Sequence, residues 1–119
     1  MNGSCLCGAV QFRAEPPLRD VFTCHCSQCR KTSGHFWAAT AVPHDRFHLI
    51  KADGLRWFQS SEIAKRGFCG HCGSSLFWQP EGEARISIAA GALDGPTGLK
   101  IAENWCLEDK GDYYPGPEG

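Results

Sequence analysis

The chain has 119 residues, of which 42% are apolar and 21% charged, so it is long enough for one folded domain and too apolar for a disordered tail. Twelve basic and 13 acidic residues give a formal net charge of −1, which excludes the strongly basic balance typical of nucleic-acid or membrane-surface binding. The unusual feature is the presence of eight cysteines, since this density indicates either a disulfide framework or bound metal.

Short segments rich in β-branched and aromatic residues alternate with turn signals along the chain. They predict strands at 9–13, 20–23, 36–42, 47–51, 55–59, 75–78, 85–89 and 101–107, and short helical turns at 28–33, 43–46 and 61–64. Short strands without a sustained helical period favour a mainly β, antiparallel domain. Because no linker or internal repeat divides the chain, we expect a single zinc-binding domain over 1–112 and a frayed tail over 113–119.

The N-terminal sequence helps to distinguish the two explanations for the cysteines. Residues 1–7 contain neither the cationic stretch nor the apolar run of a signal peptide. No segment has the roughly 18–20 consecutive apolar residues of a membrane-spanning helix. We therefore expect a cytoplasmic protein with no membrane partner, in which thiols stay reduced and act as metal ligands.

Two cysteine pairs have spacings that suit a closed zinc site. Cys5 and Cys7 lie on one face of an extended chain, because the side chains of a strand alternate between its two faces. Cys69 and Cys72 have the spacing of a zinc knuckle, with glycines that allow the backbone to wrap around a metal. We refer to these four residues as the quartet, and we expect them to bind a structural zinc ion.

A third motif places three cysteines within six residues, namely Cys24, Cys26 and Cys29, which we call the triplet. Three protein ligands leave one zinc coordination position for water or substrate, so the triplet predicts a second, open zinc site. The alternative is a second structural zinc, with His35 or Cys106 as the fourth ligand.

The motifs read GSCLCGAV, CHCSQCRKTSG and FCGHCGSSL, at residues 3–10, 24–34 and 68–76. In this order they resemble the glutathione-dependent formaldehyde-activating enzyme family, which includes the centromere protein V group. The resemblance implies a β-tent fold of small antiparallel sheets, with a structural zinc at the quartet and a catalytic zinc at the triplet. It also implies the founding activity of the family, a carbon–sulfur lyase reaction that joins formaldehyde and glutathione to give S-hydroxymethylglutathione.

Two cations, Arg30 and Lys31, directly follow the triplet. They either balance the negative charge of the thiolates or bind a carboxylate of a glutathione-like co-substrate. The sequence thus predicts a carbon–sulfur lyase with two Zn²⁺ per chain, the triplet as its catalytic residues and a small-molecule thiol or thiol adduct as its partner. The alternatives are a non-catalytic binding module with two structural zinc ions, and a redox enzyme that would require an exposed Cys106 of lowered pKa.

Overall fold

The computed structural model describes residues 1–117, which form ten strands, one α-helix and three short 3₁₀ turns. The strands are β1 (Asn2–Ser4), β2 (Val10–Ala14), β3 (Val21–Cys24), β4 (Trp37–Pro43), β5 (Phe47–Ala52), β6 (Leu55–Gln59), β7 (Ala64–Cys69), β8 (Ser75–Pro80), β9 (Arg85–Ala89) and β10 (Ile101–Trp105). The helix is α1 (Ser27–Ser33), and the 3₁₀ turns are His44–Arg46, Ala90–Ala92 and Leu107–Asp109. Within residues 1–117 no helix has the length and apolar character needed to cross a membrane.

The strands are arranged in two sheets. One has the order β1-β2-β5, and the other has the order β10-β3-β4-β9-β8-β7-β6. Every strand pair is antiparallel except β10 with β3, which is parallel because residues 90–100 carry the chain from β9 to the far side of β3. The prediction of a mainly β fold with antiparallel sheets is therefore confirmed, with this one parallel pair as an addition.

Strand β7 was not predicted from the sequence. Its residues, AKRGFC, include Lys, Arg and Gly, which have low strand preference, yet β7 pairs with both β6 and β8. The helical turn predicted at 61–64 is wrong, because Ser60 and Ser61 instead donate to the Ala64 carbonyl in the turn before β7. Pairing on both sides thus decides the conformation where local preference is weak.

The main core lies between the two sheets. Phe12 of β2 is 1% exposed, and its ring centroid lies 5.3 Å from that of Phe77 in β8 and 5.8 Å from that of Phe47 in β5. Cys5 and Cys69 belong to the same buried cluster. The quartet is consequently positioned at the edge of the core, where the two sheets meet.

The start of the segment expected to be frayed makes specific contacts. The Tyr114 hydroxyl lies 2.6 Å from Nδ1 of His25, and the Tyr113 hydroxyl lies 2.9 Å from Nδ1 of His35. These contacts hold the segment against the region of the triplet, since His25 lies between two of its cysteines. The domain boundary at 112 stays a prediction, and residues 118–119 of the expected tail lie outside the described residues.

Candidate metal centre

The quartet brings four sulfurs together where the β1–β2 connection meets the β7–β8 connection. The Sγ atoms of Cys5, Cys7, Cys69 and Cys72 all lie within 4.8 Å of one another. The separations are 3.7 Å for Cys5–Cys7 and 3.8 Å for Cys7–Cys69, far longer than the roughly 2.05 Å of a disulfide. A tetrahedral zinc ion with Zn–S bonds of ~2.3 Å requires S–S edges of about 3.8 Å. The donor set therefore fits zinc.

Backbone N–H groups stabilise the quartet sulfurs as thiolates. Sγ of Cys69 accepts from the N–H groups of His71 and Cys72, at 3.3 and 3.4 Å. Sγ of Cys5 accepts from the N–H of Val10 at 3.3 Å. Hydrogen bonds of this kind favour the charged form of a thiol, which is the form that binds metal.

Two glycines let the chain close around Cys69. Gly73 has φ of 83°, in the left-handed region, and donates to the Cys69 carbonyl at 2.7 Å. At Gly54, an added Cβ would lie 2.7 Å from Sγ of Cys69. A side chain at this position would therefore displace the sulfur.

The quartet thiols differ strongly in pKa. Hydrogen bonds from the side chain and backbone of Ser74 lower the pKa of Cys72 to about 5. The N–H of Ala9 favours the thiolate of Cys7, but desolvation and the other three sulfurs outweigh it and raise the pKa of Cys7 to about 11. Thiolates packed this closely repel one another, and a divalent cation removes that repulsion.

The triplet forms the second cluster, and the start of α1 explains why. Cys24 ends β3, and Cys26 is the N-cap of α1, with its Sγ accepting from the N–H of Cys29 at 3.4 Å. The first helical turn then returns Cys29 to the same side, and the three Sγ atoms lie within 4.8 Å of one another. Within residues 1–117, no further Cys, His, Asp or Glu joins this group. The spacing of the motif thus correctly anticipates a three-sulfur cluster.

Arg66 contacts the triplet, although no sequence motif singles it out. Arg66 lies in β7 and is 7% exposed, with Nη2 at 3.2 Å from Sγ of Cys29 and Nε at 2.8 Å from Oε1 of Gln28. Three thiolates with one Zn²⁺ have a net charge of −1, which a buried guanidinium offsets. The sequence shows only an arginine three residues before Cys69. Its contact with the triplet could not be predicted, because it depends on the tertiary packing of β7 near α1.

The surroundings shift the pKa values of two triplet thiols in opposite directions. Burial and the sulfur of Cys24 raise the pKa of Cys29 to about 12, although Arg66 opposes this rise. Burial disfavours the thiolate of Cys26 too, but hydrogen bonds from the backbone and side chain of Cys29 outweigh it and lower the pKa of Cys26. As in the quartet, sulfurs this close ionise together only beside a cation.

The other residues considered as metal ligands lie near the triplet but outside it. Burial and the charge of Cys24 raise the pKa of Cys106 to about 11, so the two sulfurs are neighbours, yet Cys106 is not part of the three-sulfur group. Nδ1 of His35 faces the Tyr113 hydroxyl at 2.9 Å. Neither side chain completes a four-ligand site within the described residues.

The two cations that follow the triplet point elsewhere. Nε of Arg30 donates to the carbonyl oxygen of Asp109 at 3.1 Å, and Lys31 is exposed on α1. Within residues 1–117, neither side chain donates a hydrogen bond to a triplet sulfur. Their role in binding a co-substrate stays a prediction.

Two cavities border the region between the quartet and the triplet. The larger, of about 600 Å³, is lined by residues that include Cys5, Ser33 and Trp37. The smaller, of about 220 Å³, is lined by residues that include Arg66. Both are lined by Ser75, at the start of β8, so they adjoin each other beside the last turn of α1.

Comparison with known proteins identifies the family. Residues 1–108 match the family described as glutathione-dependent formaldehyde-activating enzyme. An uncharacterized lyase of Schizosaccharomyces pombe is 30% identical, over 95% of this chain and 82% of that protein. A putative glutathione-dependent formaldehyde-activating enzyme of Halomonas elongata is 34% identical, over 79% of this chain and 66% of that protein. The crystal structure of a Rhodobacter sphaeroides protein, 27% identical, superposes with a TM-score of 0.70 over 88% of this chain and 99% of that one. The chain belongs to the glutathione-dependent formaldehyde-activating enzyme family.

Proposed function

We propose that this protein is a zinc-dependent enzyme of the carbon–sulfur lyase type that acts on the adduct of a glutathione-like thiol with a small carbonyl compound such as formaldehyde. The observation that carries the proposal is the difference between the two clusters, since the quartet supplies four sulfurs and the triplet three. Family membership supports the chemistry, as do the names of two relatives, one a lyase and the other a putative glutathione-dependent formaldehyde-activating enzyme.

The two clusters have different roles in this proposal. The quartet connects the three-stranded sheet, through the segment after β1, to the β7–β8 connection of the seven-stranded sheet. A metal there cross-links the two sheets and contributes to folding. At the triplet, zinc when bound supplies a free coordination position and lowers the pKa of a thiol that occupies it. The triplet cysteines are therefore assigned as the catalytic ligands.

In the proposed reaction, the thiol sulfur bonds to the carbonyl carbon of formaldehyde. The thiol loses its proton and the carbonyl oxygen gains one, so the step needs no oxidant or reductant, and its reverse cleaves the same carbon–sulfur bond. Trp37, Ala39 and Ala89 pack with Cys29 in one apolar cluster on one side of the triplet. Arg66 is 7% exposed and adds a positive charge beside Cys29, where burial makes charge interactions stronger than in water.

The proposal includes a cytoplasmic location. All eight cysteines are free thiols in the structure. Free thiols and a glutathione co-substrate both suit a reducing compartment. The proposed small-molecule partner is a thiol or its adduct with a carbonyl compound.

One observation favours the alternative, a binding module with two structural zinc ions. Burial and the nearby sulfur of Cys24 raise the pKa of Cys106, so the two sulfurs are close together. A small movement of the segment that carries Cys106 would make it a fourth ligand and close the site. The number of sulfurs around the second metal therefore separates the two functions.

The test is a thiol titration of the full-length protein in which Co²⁺ replaces zinc. Glutathione should change the cobalt absorption spectrum, because it adds a sulfur ligand to the triplet site, and Cys26→Ser should abolish that change. We expect Lys31→Ala, or higher salt, to reduce any preference for glutathione over 2-mercaptoethanol. If neither thiol alters the spectrum at millimolar concentration, the site is closed and the binding module replaces the enzyme.

A matched measurement tests the chemistry itself. Exchange spectroscopy by NMR measures how fast formaldehyde and glutathione interconvert with S-hydroxymethylglutathione. The zinc-loaded wild type should accelerate this exchange, and Cys26→Ser should not. Equal rates with and without protein would contradict the enzyme assignment.

A further inference from the structure

Two buried N–H donors beside the triplet have no hydrogen-bond partner. They are Nη1 of Arg66 and Nε1 of Trp37, on side chains that are 7% and 8% exposed. The two groups are neighbours, since Cζ of Arg66 lies 5.5 Å from the centre of the Trp37 ring. A buried donor without an acceptor is costly, so two in one place indicate that an acceptor binds there.

The remainder of the Arg66 guanidinium is already fixed in place. Nε donates to Oε1 of Gln28 at 2.8 Å, and Nη2 donates to Sγ of Cys29 at 3.2 Å. A guanidinium has five N–H groups, two of which are on Nη1. Because the other contacts set its orientation, Nη1 is preorganised for an anionic acceptor, and a carboxylate is the group that arginine binds best.

Each of the two side chains lines a cavity. Arg66 lines the smaller cavity and Trp37 the larger, and Ser75 lines both. In the last turn of α1, Thr32 lines the smaller cavity and its neighbour Ser33 lines the larger. Of the described residues that line either cavity, Arg66 and Asp94 are the only ones with charged Arg, Lys, Asp or Glu side chains. Arg66 is thus the only such cation available to an anionic ligand in this space.

We propose that Arg66 and Trp37 form a carboxylate subsite, in which Nη1 of Arg66 and Nε1 of Trp37 donate hydrogen bonds to a carboxylate of the thiol substrate. That the substrate is a thiol rests on the proposed function. Because Nη2 of the same guanidinium contacts Sγ of Cys29, a carboxylate bound to Nη1 is separated from that sulfur only by the guanidinium group. An acidic thiol is anchored beside the triplet in this way, whereas a neutral thiol of equal size has no such anchor. Arg66 is buried while Lys31 is exposed, so this contact is less weakened by salt.

The experiment measures binding of a ligand that cannot react. The probe is γ-glutamyl-α-aminobutyryl-glycine, a glutathione analogue with a methyl group in place of the thiol, compared with its diethyl ester. Isothermal titration calorimetry is performed on the zinc-loaded full chain as wild type, Arg66→Gln and Trp37→Phe. Arg56→Gln serves as the control, because it removes an exposed arginine of the adjacent strand β6.

The wild type and Arg56→Gln should bind the acid about tenfold more tightly than the diester, since two ionic hydrogen bonds are lost in the ester. Arg66→Gln should abolish most of this preference, and Trp37→Phe should reduce it about threefold while keeping the ring. The proposal is overturned if the wild type binds neither ligand, if it binds both equally, or if Arg66→Gln keeps the preference. Should Arg66→Gln fail to fold, an unchanged preference in Trp37→Phe would overturn it.

The subsite and the proposed enzyme can fail separately. If the carboxylate preference is present but no S-hydroxymethylglutathione exchange is catalysed, the enzyme assignment fails and the subsite stands. If exchange is catalysed without a carboxylate preference, the subsite fails and the enzyme assignment stands.

Discussion

Replacing Cys69 by serine should unfold the protein, whereas the same replacement of Cys26 should leave the fold intact. Cys69 is fully buried at the junction of the two sheets, and its sulfur accepts two backbone N–H groups. Cys26 is the N-cap of α1, a position at which serine is among the preferred residues. One substitution removes a proposed zinc ligand at the junction of the sheets, and the other replaces one helix cap by another.

The expected magnitudes differ widely. Structural zinc in small domains has an apparent binding free energy of about 10–16 kcal/mol, while a whole domain is stable by about 5–15 kcal/mol. Losing even half of the zinc contribution at the quartet would remove most of the stability. For Cys26→Ser the helix cap is kept, so the direct cost to the fold should stay below about 1 kcal/mol.

The assay is thermal unfolding monitored by circular dichroism, together with zinc analysis of the folded fraction. Cys69→Ser should have no cooperative transition or a much lower Tm, and Cys26→Ser should melt near the wild type with about one zinc ion per chain. Chelator-treated wild type provides the reference for full metal loss. Equal collapse of both variants would refute the division into a structural quartet and a catalytic triplet.

Wild-type protein should contain about two zinc ions per chain, and mild chelation should remove one before the other. The reason is that a closed thiolate site exchanges metal more slowly than an open one. Metal analysis after dialysis would contradict this prediction if both ions left together. Phe12→Ala should lower the free energy of unfolding, measured by urea denaturation, by about 3–5 kcal/mol, because it leaves a cavity between the sheets. Phe58→Ala, at an exposed position, should lower the free energy of unfolding far less. Tyr114→Phe should lower the free energy of unfolding by about 1–3 kcal/mol in the same assay, because it leaves Nδ1 of buried His25 without its hydrogen-bond partner. Tyr113→Phe should lower it less, because the hydrogen bond of Tyr113 is exposed. A larger loss for Tyr113→Phe would contradict the assignment of Tyr114 as the anchor.

Short-range sequence patterns were sufficient to predict how the cysteines group locally. The pairs Cys5/Cys7 and Cys69/Cys72, and the triplet, have members within a few residues of one another, so strand alternation and one helical turn place their sulfurs on the same side. That the two pairs meet across 62 residues was inferred instead from the count of four ligands and from the family resemblance. The same locality made most strands and α1 predictable. Family resemblance depended on these same motifs, which is why it agreed with the grouping derived from spacing.

The tertiary structure decided the features that depend on distant pairing. Strand β7 has weak local preference and forms because β6 and β8 bond to it on both sides, and β10 is parallel to β3 because of the route of the chain after β9. Arg66 reaches Cys29 across 37 residues of sequence, and Tyr114 reaches His25 across 89. No pattern along the chain encodes such contacts, because they arise only when the tertiary structure brings β7 of the seven-stranded sheet to α1 and returns the C-terminal segment to the region of the triplet.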